Sequence, residues 1–251
     1  MPVHELAGST AVVTGACGGF GRGVAAALVR AGARVLGLAR DGEALDKLRA
    51  DLGDGFVPVP GDATDPDLAA DLLTRHTPRT VVLAAGAAPA MLPLQDHTWE
   101  TFSEAWHTDV RHVFGWTRAA LRQPLPPGST VIAFSSGAAL RGSPLSGGYA
   151  GAKATVRFVT AYADGQSRRH ELGIRFTAVL PALAPTTGLG AEAAAAYAAY
   201  EGITTEAFVR RSGPLLTPGT AGAAVLELAR GQRADAVAYG LSADGLAPLA
   251  D

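Results

Sequence analysis

Tyr149 and Lys153 lie four residues apart in the pentapeptide YAGAK, in a chain whose 21 basic residues include only one other lysine, Lys47. Residues four apart share one face of a helix, so the spacing predicts an ammonium beside a phenol. A free phenol has a pKa near 10, and an adjacent ammonium favours its ionised form. The pair therefore predicts a tyrosine that exchanges protons near neutrality, as general acid–base chemistry requires. An ordinary pair on a helix surface is the alternative that this spacing leaves open.

A glycine-rich turn, TGACGGFGRG, follows the apolar run at residues 10–15. Such a turn between a first strand and a first helix lets backbone amides approach a pyrophosphate at the positive end of the helix. Its glycines, Gly15, Gly19 and Gly21, are spaced more widely at the front than in the GxGxxG dinucleotide motif. Cys17 lies inside the turn, where we expect a small residue that fits rather than a reactive thiol.

The residues after the second apolar run should select the cofactor, because this point of a dinucleotide fold contacts the adenosine ribose. The sequence there reads LGLARDG, with Ala39 in place of an acidic residue and Arg40 directly after it. An arginine accommodates a ribose 2′-phosphate, so we predict NADP(H). NAD(H) is the alternative, if Arg40 only pairs with Asp41 or if Asp41 itself meets the ribose.

Short apolar runs alternate with segments of helical periodicity, and these elements would position the candidate residues. Buried strands separated by helices predict a doubly wound, Rossmann-type α/β fold with a parallel sheet covered on both faces. Ligands of such folds bind outside the carboxyl ends of the strands. No linker or repeat divides the chain, so residues 1–251 are predicted to form one domain. The predicted strands span residues 10–15, 33–38, 56–60, 80–86, 129–136 and 174–181, and the helix with YAGAK spans 149–171.

Composition excludes several function classes. A net charge of −2 provides no basic field for nucleic acid or an anionic membrane surface. The longest apolar stretch, residues 81–94, is interrupted by Pro89 and Pro93 and is too short to span a bilayer. One cysteine excludes an internal disulfide, and the six histidines lack metal-ligand spacing, so we predict no metal site. With no secretion signal visible in MPVHELAGST, the expected location is the cytoplasm.

Five motifs occur in one order over nearly the whole chain: TGACGGFG, GDATD, AAG, a serine ahead of YAGAK, and LPALAPTT. Together they resemble the short-chain dehydrogenase/reductase family. The resemblance implies a nicotinamide cofactor and a Ser–Tyr–Lys active site, commonly in homo-dimers or homo-tetramers. The family's serine precedes the tyrosine by a dozen or so residues, which favours Ser136 over Ser135. The candidate cofactor contacts are Gly15, Cys17, Gly19, Phe20, Gly21, Arg40, Asp62, Ala63, Ala85, Gly86, Tyr149, Lys153, Pro181 and Thr186.

The resemblance implies an NADP(H)-dependent oxidoreductase that interconverts a carbonyl and an alcohol by hydride transfer. Ser136 would polarise the carbonyl, Tyr149 would exchange the proton, and Lys153 would promote the phenolate and hold the ribose. Residues 187–212, rich in alanine and with several aromatic side chains, are predicted to form a substrate lid, which suggests a small substrate with some apolar area. Two alternatives stay open: a non-redox isomerase or cyclase, and a non-catalytic dinucleotide-binding sensor.

Two positions depart from the family pattern. Asp109 stands where the family usually has an asparagine whose backbone carbonyl holds a relay water, so it is counted with the catalytic candidates. A tolerated near-isostere is the favoured interpretation, and an altered relay with a shifted pH profile is the alternative. Leu83 and Ala84 replace paired asparagines that help to tie the central sheet together. His107 and His112 are expected to be exposed or to cap their helix.

Overall fold

The computed structural model describes residues 5–250, and its centre is a sheet of eight strands in the order β3-β2-β1-β4-β5-β6-β7-β8. The first seven strands run parallel, and β8 is antiparallel to β7. The strands are β1 (Thr10–Thr14), β2 (Arg34–Ala39), β3 (Phe56–Pro60), β4 (Thr80–Leu83), β5 (Thr130–Phe134), β6 (Arg175–Pro181), β7 (Ala238–Ser242) and β8 (Gly245–Pro248).

Helices cover both faces of the sheet. They are α1 (Gly19–Arg30), α2 (Gly42–Leu52), α3 (Pro66–His76), α4 (Trp99–Ala105), α5 (Arg111–Arg122), α6 (Ala138–Arg141), α7 (Gly147–Arg169), α8 (Gly188–Tyr200), α9 (Thr205–Arg211) and α10 (Pro218–Ala229). A π-helical turn, Trp106–Val110, joins α4 to α5. Side chains of α1, α2 and α10 share one apolar core, and those of α3, α5 and α7 share the other.

The β1 strand shows how the sequence builds both cores. Its apolar residues are fully buried and alternate between the faces, because successive side chains of a strand point to opposite sides. Ala11 and Val13 pack in the core under α1, and Val12 packs in the core under α5 and α7. The chain order reverses between β1 and β4, which opens a crevice at their carboxyl ends. In open α/β sheets such a switch point is where ligands bind.

The predicted doubly wound α/β fold is confirmed, with differences in the number and the bounds of its elements. β7 and β8 were not predicted, because AYGLS and GLAP contain glycine, alanine and proline in place of the β-branched residues that mark strands. The strand predicted over 80–86 ends at Leu83. The helix predicted over 149–171 runs from Gly147 to Arg169. No helix within residues 5–250 is long and apolar enough to cross a membrane.

Candidate active site

A cavity of about 1620 Å³ opens at the carboxyl ends of the parallel strands. Residues from the segments that follow β1 to β6 line it, and lid residues of α8 close one side. Pockets for single small ligands usually measure about 300–1,000 Å³. The cavity is therefore large enough for a dinucleotide together with a substrate.

The glycine turn after β1 fits a pyrophosphate. Gly15 has a left-handed φ of 66°, and a Cβ on it would lie 2.9 Å from the backbone of Ala85. A Cβ on Gly21 would lie 2.1 Å from the carbonyl oxygen of Gly15, so only glycine lets α1 begin this close to the strand. Gly18 precedes α1 and provides no side-chain cap. The first amides of α1 are therefore available for an anion.

The thiol of Cys17 lines the cavity beside this turn. Burial raises its pKa, and the nearby carboxylate of Asp41 raises it further. A raised pKa keeps the thiol neutral and poorly nucleophilic near neutrality. This supports the prediction of a small residue that fits the turn.

Three residues form the predicted adenosine side of the cavity. Arg40 is exposed and lines the cavity directly after β2. Asp62 accepts hydrogen bonds from the amide and the hydroxyl of Thr64, at 2.8 and 2.9 Å, and these bonds hold its pKa below the usual value. The carbonyl of Ala63 accepts a 2.9 Å hydrogen bond from the indole of Trp116, which fixes this loop onto α5.

Helix α7 brings Tyr149 and Lys153 into the cavity. α7 can approach α4 closely because Gly148 has no side chain: a Cβ there would lie 2.0 Å from the carbonyl oxygen of Phe102. The ammonium of Lys153 lies 5.5 Å from the centroid of the Tyr149 ring and donates a 3.0 Å hydrogen bond to the carbonyl of Phe134. This places a cation beside the phenol, as the i,i+4 spacing predicts.

The two adjacent serines after β5 have different partners. Ser135 is buried, and its hydroxyl donates a 2.7 Å hydrogen bond to the carbonyl of Lys153, which docks α7 onto β5. The hydroxyl oxygen of Ser136 accepts a 3.2 Å bond from the amide of Ala138 at the cavity wall. The hydroxyl proton of Ser136 thus stays available to a ligand, whereas that of Ser135 is used within the fold.

Asp109 joins the same corner from the π-helical turn. Its carboxylate is 1% exposed, and Oδ2 lies 2.9 Å from the ammonium of Lys153. Burial by itself lowers the pKa of Lys153, but the carboxylate of Asp109 and, to a smaller extent, Tyr149 together more than offset this effect, and the pKa is raised above the ordinary value. The corner therefore holds a buried ion pair of a protonated lysine and a carboxylate.

The comparisons with known proteins agree with this geometry. A model of the short chain dehydrogenase family matches residues 9–201. The chain belongs to the short-chain dehydrogenase/reductase family. It is 32% identical to serine 3-dehydrogenase of Rhizobium radiobacter over 194 residues, and the aligned region covers 70% of this chain and 72% of that enzyme. It is 30% identical over 183 residues to sorbitol dehydrogenase of Cereibacter sphaeroides, covering 70% and 71%.

Solved structures of the family share the fold. One is a 3-ketoacyl-(acyl-carrier-protein) reductase from Brucella melitensis complexed with NADH, with a TM-score of 0.78, 23% identity, and coverage of 95% of this chain and 98% of that one. Another is a short-chain dehydrogenase/reductase from the same organism, with a TM-score of 0.77, 24% identity and 92% coverage of both chains. Members of the family are oxidoreductases that bind nicotinamide dinucleotides, and the cradle at Gly15 and Gly21 has the form that such a cofactor requires.

Leu83 and Ala84, which stand in place of the family's paired asparagines, lie in a segment that is held by packing and by hydrogen bonds from its backbone amides. Leu83 is 1% exposed and packs in the core under α5. The hydroxyl of Thr14, at the end of β1, accepts hydrogen bonds from the amides of Ala84 and Ala85 at 3.0 and 3.2 Å. These bonds tie β1 to the segment after β4. Thr14 was not predicted, because nothing in the sequence shows that its hydroxyl faces the neighbouring strand.

The expectation for His112 was wrong. His107 is exposed, but His112 is 1% exposed, and neither of its ring nitrogens has a hydrogen-bond partner in the described part of the chain. Burial lowers the pKa of His112 to about 4, and the attraction of the Asp109 carboxylate offsets only part of this effect. The imidazole is therefore neutral at neutral pH. Its spacing of three residues from Asp109 was the available signal, since residues i and i+3 share a helix face.

The predicted lid segment contains α8 and α9. Tyr197 of α8 lines the cavity, and its hydroxyl lies 2.5 Å from the hydroxyl of Ser143, in the loop before α7. Ser146 donates a further 2.8 Å hydrogen bond to Ser143. The ring of Tyr197 stacks on Phe208 of α9 at 6.0 Å. This hydroxyl cluster of Ser143, Ser146 and Tyr197 was not predicted.

All the predicted site residues line the cavity except Gly21 and Thr186. Gly21 lies beneath the turn, where it allows the close approach of α1. The hydroxyl of Thr186 donates a 2.7 Å hydrogen bond to the carbonyl of Leu216, outside the cavity, while Thr187 lines the cavity in its place. No group of three or more side chains suited to hold a metal ion occurs among residues 5–250.

Proposed function

We propose that the protein is an NADP(H)-dependent oxidoreductase that interconverts a carbonyl and an alcohol. The observation that carries the proposal is that Ser136, Tyr149 and Lys153 all line the same cavity, with the ammonium 5.5 Å from the centroid of the phenol ring. A proton donor beside a cation suits a reaction in which negative charge develops on a substrate oxygen. One domain over residues 1–251 carries both the cofactor side and the substrate side.

Each side chain has one role in the proposed reduction. The nicotinamide, when bound, supplies the hydride. Ser136 donates a hydrogen bond to the carbonyl oxygen and so orients the substrate. Tyr149 donates its proton to that oxygen as it becomes an alkoxide, and it takes the proton back in alcohol oxidation. Lys153 stabilises the phenolate that Tyr149 leaves behind, because an ammonium favours the ionised form of an adjacent phenol. It also holds the nicotinamide ribose.

Arg40 supports the phosphorylated nucleotide. Its guanidinium makes no hydrogen bond or ion pair with another side chain in the part of the chain that the structure describes, so it is available to a 2′-phosphate. The alternative contact, the carboxylate of Asp41, already accepts a 3.0 Å hydrogen bond from the amide of Ala44 as the cap of α2. The similar ketoacyl reductase is complexed with NADH, so nucleotide choice needs its own measurement.

The substrate is proposed to be a small carbonyl or alcohol with some apolar area. Residues 187–212 would act as the lid, with Tyr197 at the cavity wall. The names serine 3-dehydrogenase and sorbitol dehydrogenase describe relatives that act on alcohols, which agrees with this class. The apolar residues of the lid would exclude water when substrate binds, and this strengthens the hydrogen bonds at the reacting oxygen.

A homo-dimer or homo-tetramer is proposed from an exposed apolar surface on α7. Phe158 and Tyr162 stack at 6.2 Å and are 69% and 60% exposed. Phe114, on the neighbouring helix α5, is 53% exposed. Large apolar side chains grouped in this way are typical of protein–protein interfaces. Phe158→Glu should shift the protein to a smaller species in analytical ultracentrifugation, and an unchanged mass would contradict this interface.

The test of the proposed chemistry is Tyr149→Phe, assayed by the absorbance of reduced nicotinamide with a panel of small aldehydes and ketones. Removing the proton donor should lower kcat by about 10²–10⁴. Tyr162→Phe, an exposed tyrosine on the same helix, is the matched control and should keep wild-type turnover. Unchanged turnover in Tyr149→Phe would contradict the proposal. Substrate conversion without any absorbance change would indicate the isomerase or cyclase, and wild-type cellular function in Tyr149→Phe would indicate the sensor.

A further inference from the structure

The carboxylate of Asp109 is bound from three segments of the chain. Oδ1 accepts hydrogen bonds from the amide of Ala87 at 2.8 Å and the hydroxyl of Thr108 at 2.9 Å. Oδ2 lies 2.9 Å from the ammonium of Lys153. The segment after β4, the π-helical turn and α7 therefore meet at a single side chain. That side chain is 1% exposed, and its cationic partner is 7% exposed.

The site requires a carboxylate and does not accept an amide equally well. Donors face both oxygens of Asp109, whereas an asparagine has one acceptor oxygen and an NH₂ group that only donates. With either orientation of the amide, an NH₂ would face the ammonium of Lys153 or the amide of Ala87. Asp109 is thus more than a near-isostere of the family's asparagine.

Lys153 depends on this carboxylate for its charge. A buried ammonium without a counter-ion loses its proton more easily, by up to several pKa units. The other groups that face Lys153 are Tyr149 on its own helix, the carbonyl of Phe134 on β5, and His112 on α5. His112 is neutral at neutral pH and provides no negative charge. Asp109 is therefore the one carboxylate that pairs with Lys153 among the described residues.

We propose that Asp109 is a positioning residue that acts through Lys153: its carboxylate keeps the buried ammonium protonated and fixes it in the cavity before any nucleotide binds. The ammonium has three N–H donors, of which one is hydrogen-bonded to the Phe134 carbonyl, while Asp109 is held as an ion pair at 2.9 Å. The ammonium therefore keeps a donor for the nicotinamide ribose. Only this consequence for nucleotide binding rests on the proposed function, since the charge of Lys153 is a property of the protein alone.

The direct test follows the titration of Lys153 by NMR. With ¹³C- and ¹⁵N-labelled lysine the protein gives only two side-chain signals, because Lys47 and Lys153 are its only lysines. The exposed Lys47 is an internal reference. In the wild type, Lys153 should keep its proton beyond about pH 10.4, the ordinary value for lysine. In Asp109→Asn the Lys153 signal should titrate at least about one pH unit lower than in the wild type.

Asp164→Asn is the matched control. Asp164, on α7, is also a buried aspartate: it is 5% exposed and ion-paired with Arg168 at the far end of the helix from Lys153. Its removal should leave the titration of Lys153 unchanged. An unchanged titration in Asp109→Asn, or a wild-type Lys153 that titrates below the ordinary value, would overturn the proposal. If Asp109→Asn does not fold, a wild-type Lys153 that titrates below the ordinary value still overturns the proposal.

The functional consequence is measured by calorimetric titration with NADPH from pH 6 to 10. Wild-type affinity should stay constant up to the upper end of this range, whereas Asp109→Asn should lose affinity at a lower pH as Lys153 deprotonates. Equal pH profiles would contradict the positioning role. If the wild type binds neither NADPH nor NADH, the proposed function fails, and the lysine titration still decides whether Asp109 keeps Lys153 charged.

Discussion

The nucleotide cradle and the substrate lid both line one cavity, but they are held in different ways. In the cradle, a Cβ on Gly15 or Gly21 would lie 2.9 or 2.1 Å from backbone atoms, so the backbone itself fills the space. In the lid, only the base is packed in this way: a Cβ on Gly190 would lie 1.9 Å from the carbonyl oxygen of Ala184, whereas Gly188 and Gly202 have no atom within 4 Å of such a Cβ. The lid is bound to the rest of the wall through side chains, including the hydroxyl of Tyr197. Substitutions in the cradle should therefore cost folding free energy, and substitutions in the lid beyond Gly190 should mainly change substrate handling.

Gly21→Ala should have the largest effect and would break the cradle itself. The added methyl group must overlap the carbonyl oxygen of Gly15, and relief requires α1 to move away from β1. We expect a loss of about 4 kcal/mol in the free energy of unfolding, or failure to fold. Gly165→Ala in α7, where no atom lies within 4 Å, should instead be neutral or stabilising by up to about 1 kcal/mol. Urea unfolding measures both, and equal stability of the two variants would contradict the steric account.

His112, on α5, should make the stability of the folded protein depend on pH. Its pKa is about 4 in the folded protein, whereas the unfolded chain has the ordinary value of 6.5. Between these values the unfolded state binds a proton that the folded state does not, so stability falls as pH drops from about 6.5 to 4, by about 3 kcal/mol in all.

In His112→Gln this part of the slope should disappear when urea unfolding is measured across the same pH range. His170→Gln removes an exposed imidazole and serves as the control for a surface histidine. A slope in His112→Gln as steep as that of the wild type would show that another group causes the acid sensitivity.

Thr14→Val tests how much the hydrogen bonds beside the cradle contribute to stability. The substitution leaves the amides of Ala84 and Ala85 without their shared acceptor, and we expect a loss of about 2 kcal/mol. Thr177→Val is the matched control: Thr177 is 1% exposed, and its hydroxyl has no partner in the described residues. That variant should be as stable as the wild type or more so. Thermal unfolding measures the stability of both variants, and a Thr177→Val protein less stable than Thr14→Val would contradict this role of Thr14.

Tyr197→Phe should have the smallest effect on stability, and it tests whether the hydroxyl contact of Tyr197 holds the lid. Losing the 2.5 Å contact with Ser143 should lower the free energy of local unfolding of α8 by about 1 kcal/mol. Amide exchange in α8 should therefore become faster. Tyr200→Phe on the same helix changes a side chain that is 59% exposed and should leave exchange unchanged. Equal exchange rates for the two variants would mean that the hydroxyl contact does not hold the lid.

The sequence predicted best those features that depend on local chemistry. The β-branched runs located six of the eight strands, and the glycine turn located the cradle, because a left-handed φ at Gly15 demands glycine. The i,i+4 spacing of Tyr149 and Lys153 predicted their proximity, because both lie on one helix. The choice of Ser136 stays a prediction, though the structure leaves its hydroxyl proton available and uses that of Ser135.

The features that were missed depend on which segments meet in space. Asp109 was a catalytic candidate, but its direct ion pair with Lys153 was not predicted, because only the packing of the π-helical turn against α7 brings the two groups to 2.9 Å. Thr14 acts on the neighbouring strand, which the local sequence does not reveal. Thr186 and Thr187 have the same type of side chain, and the path of the loop after β6 decides which one lines the cavity. Such contacts require the tertiary structure.

A calorimetric titration with NADPH and, separately, with NADH tests the use of this cavity most directly. The wild type should bind NADPH more tightly, and Arg40→Gln should lose about ten- to a hundredfold of that affinity while binding NADH as before. Tighter binding of NADH by the wild type would contradict the role of Arg40 and leave the redox proposal standing. Binding of neither nucleotide would contradict the assignment of the cradle and, with it, the proposed oxidoreductase chemistry.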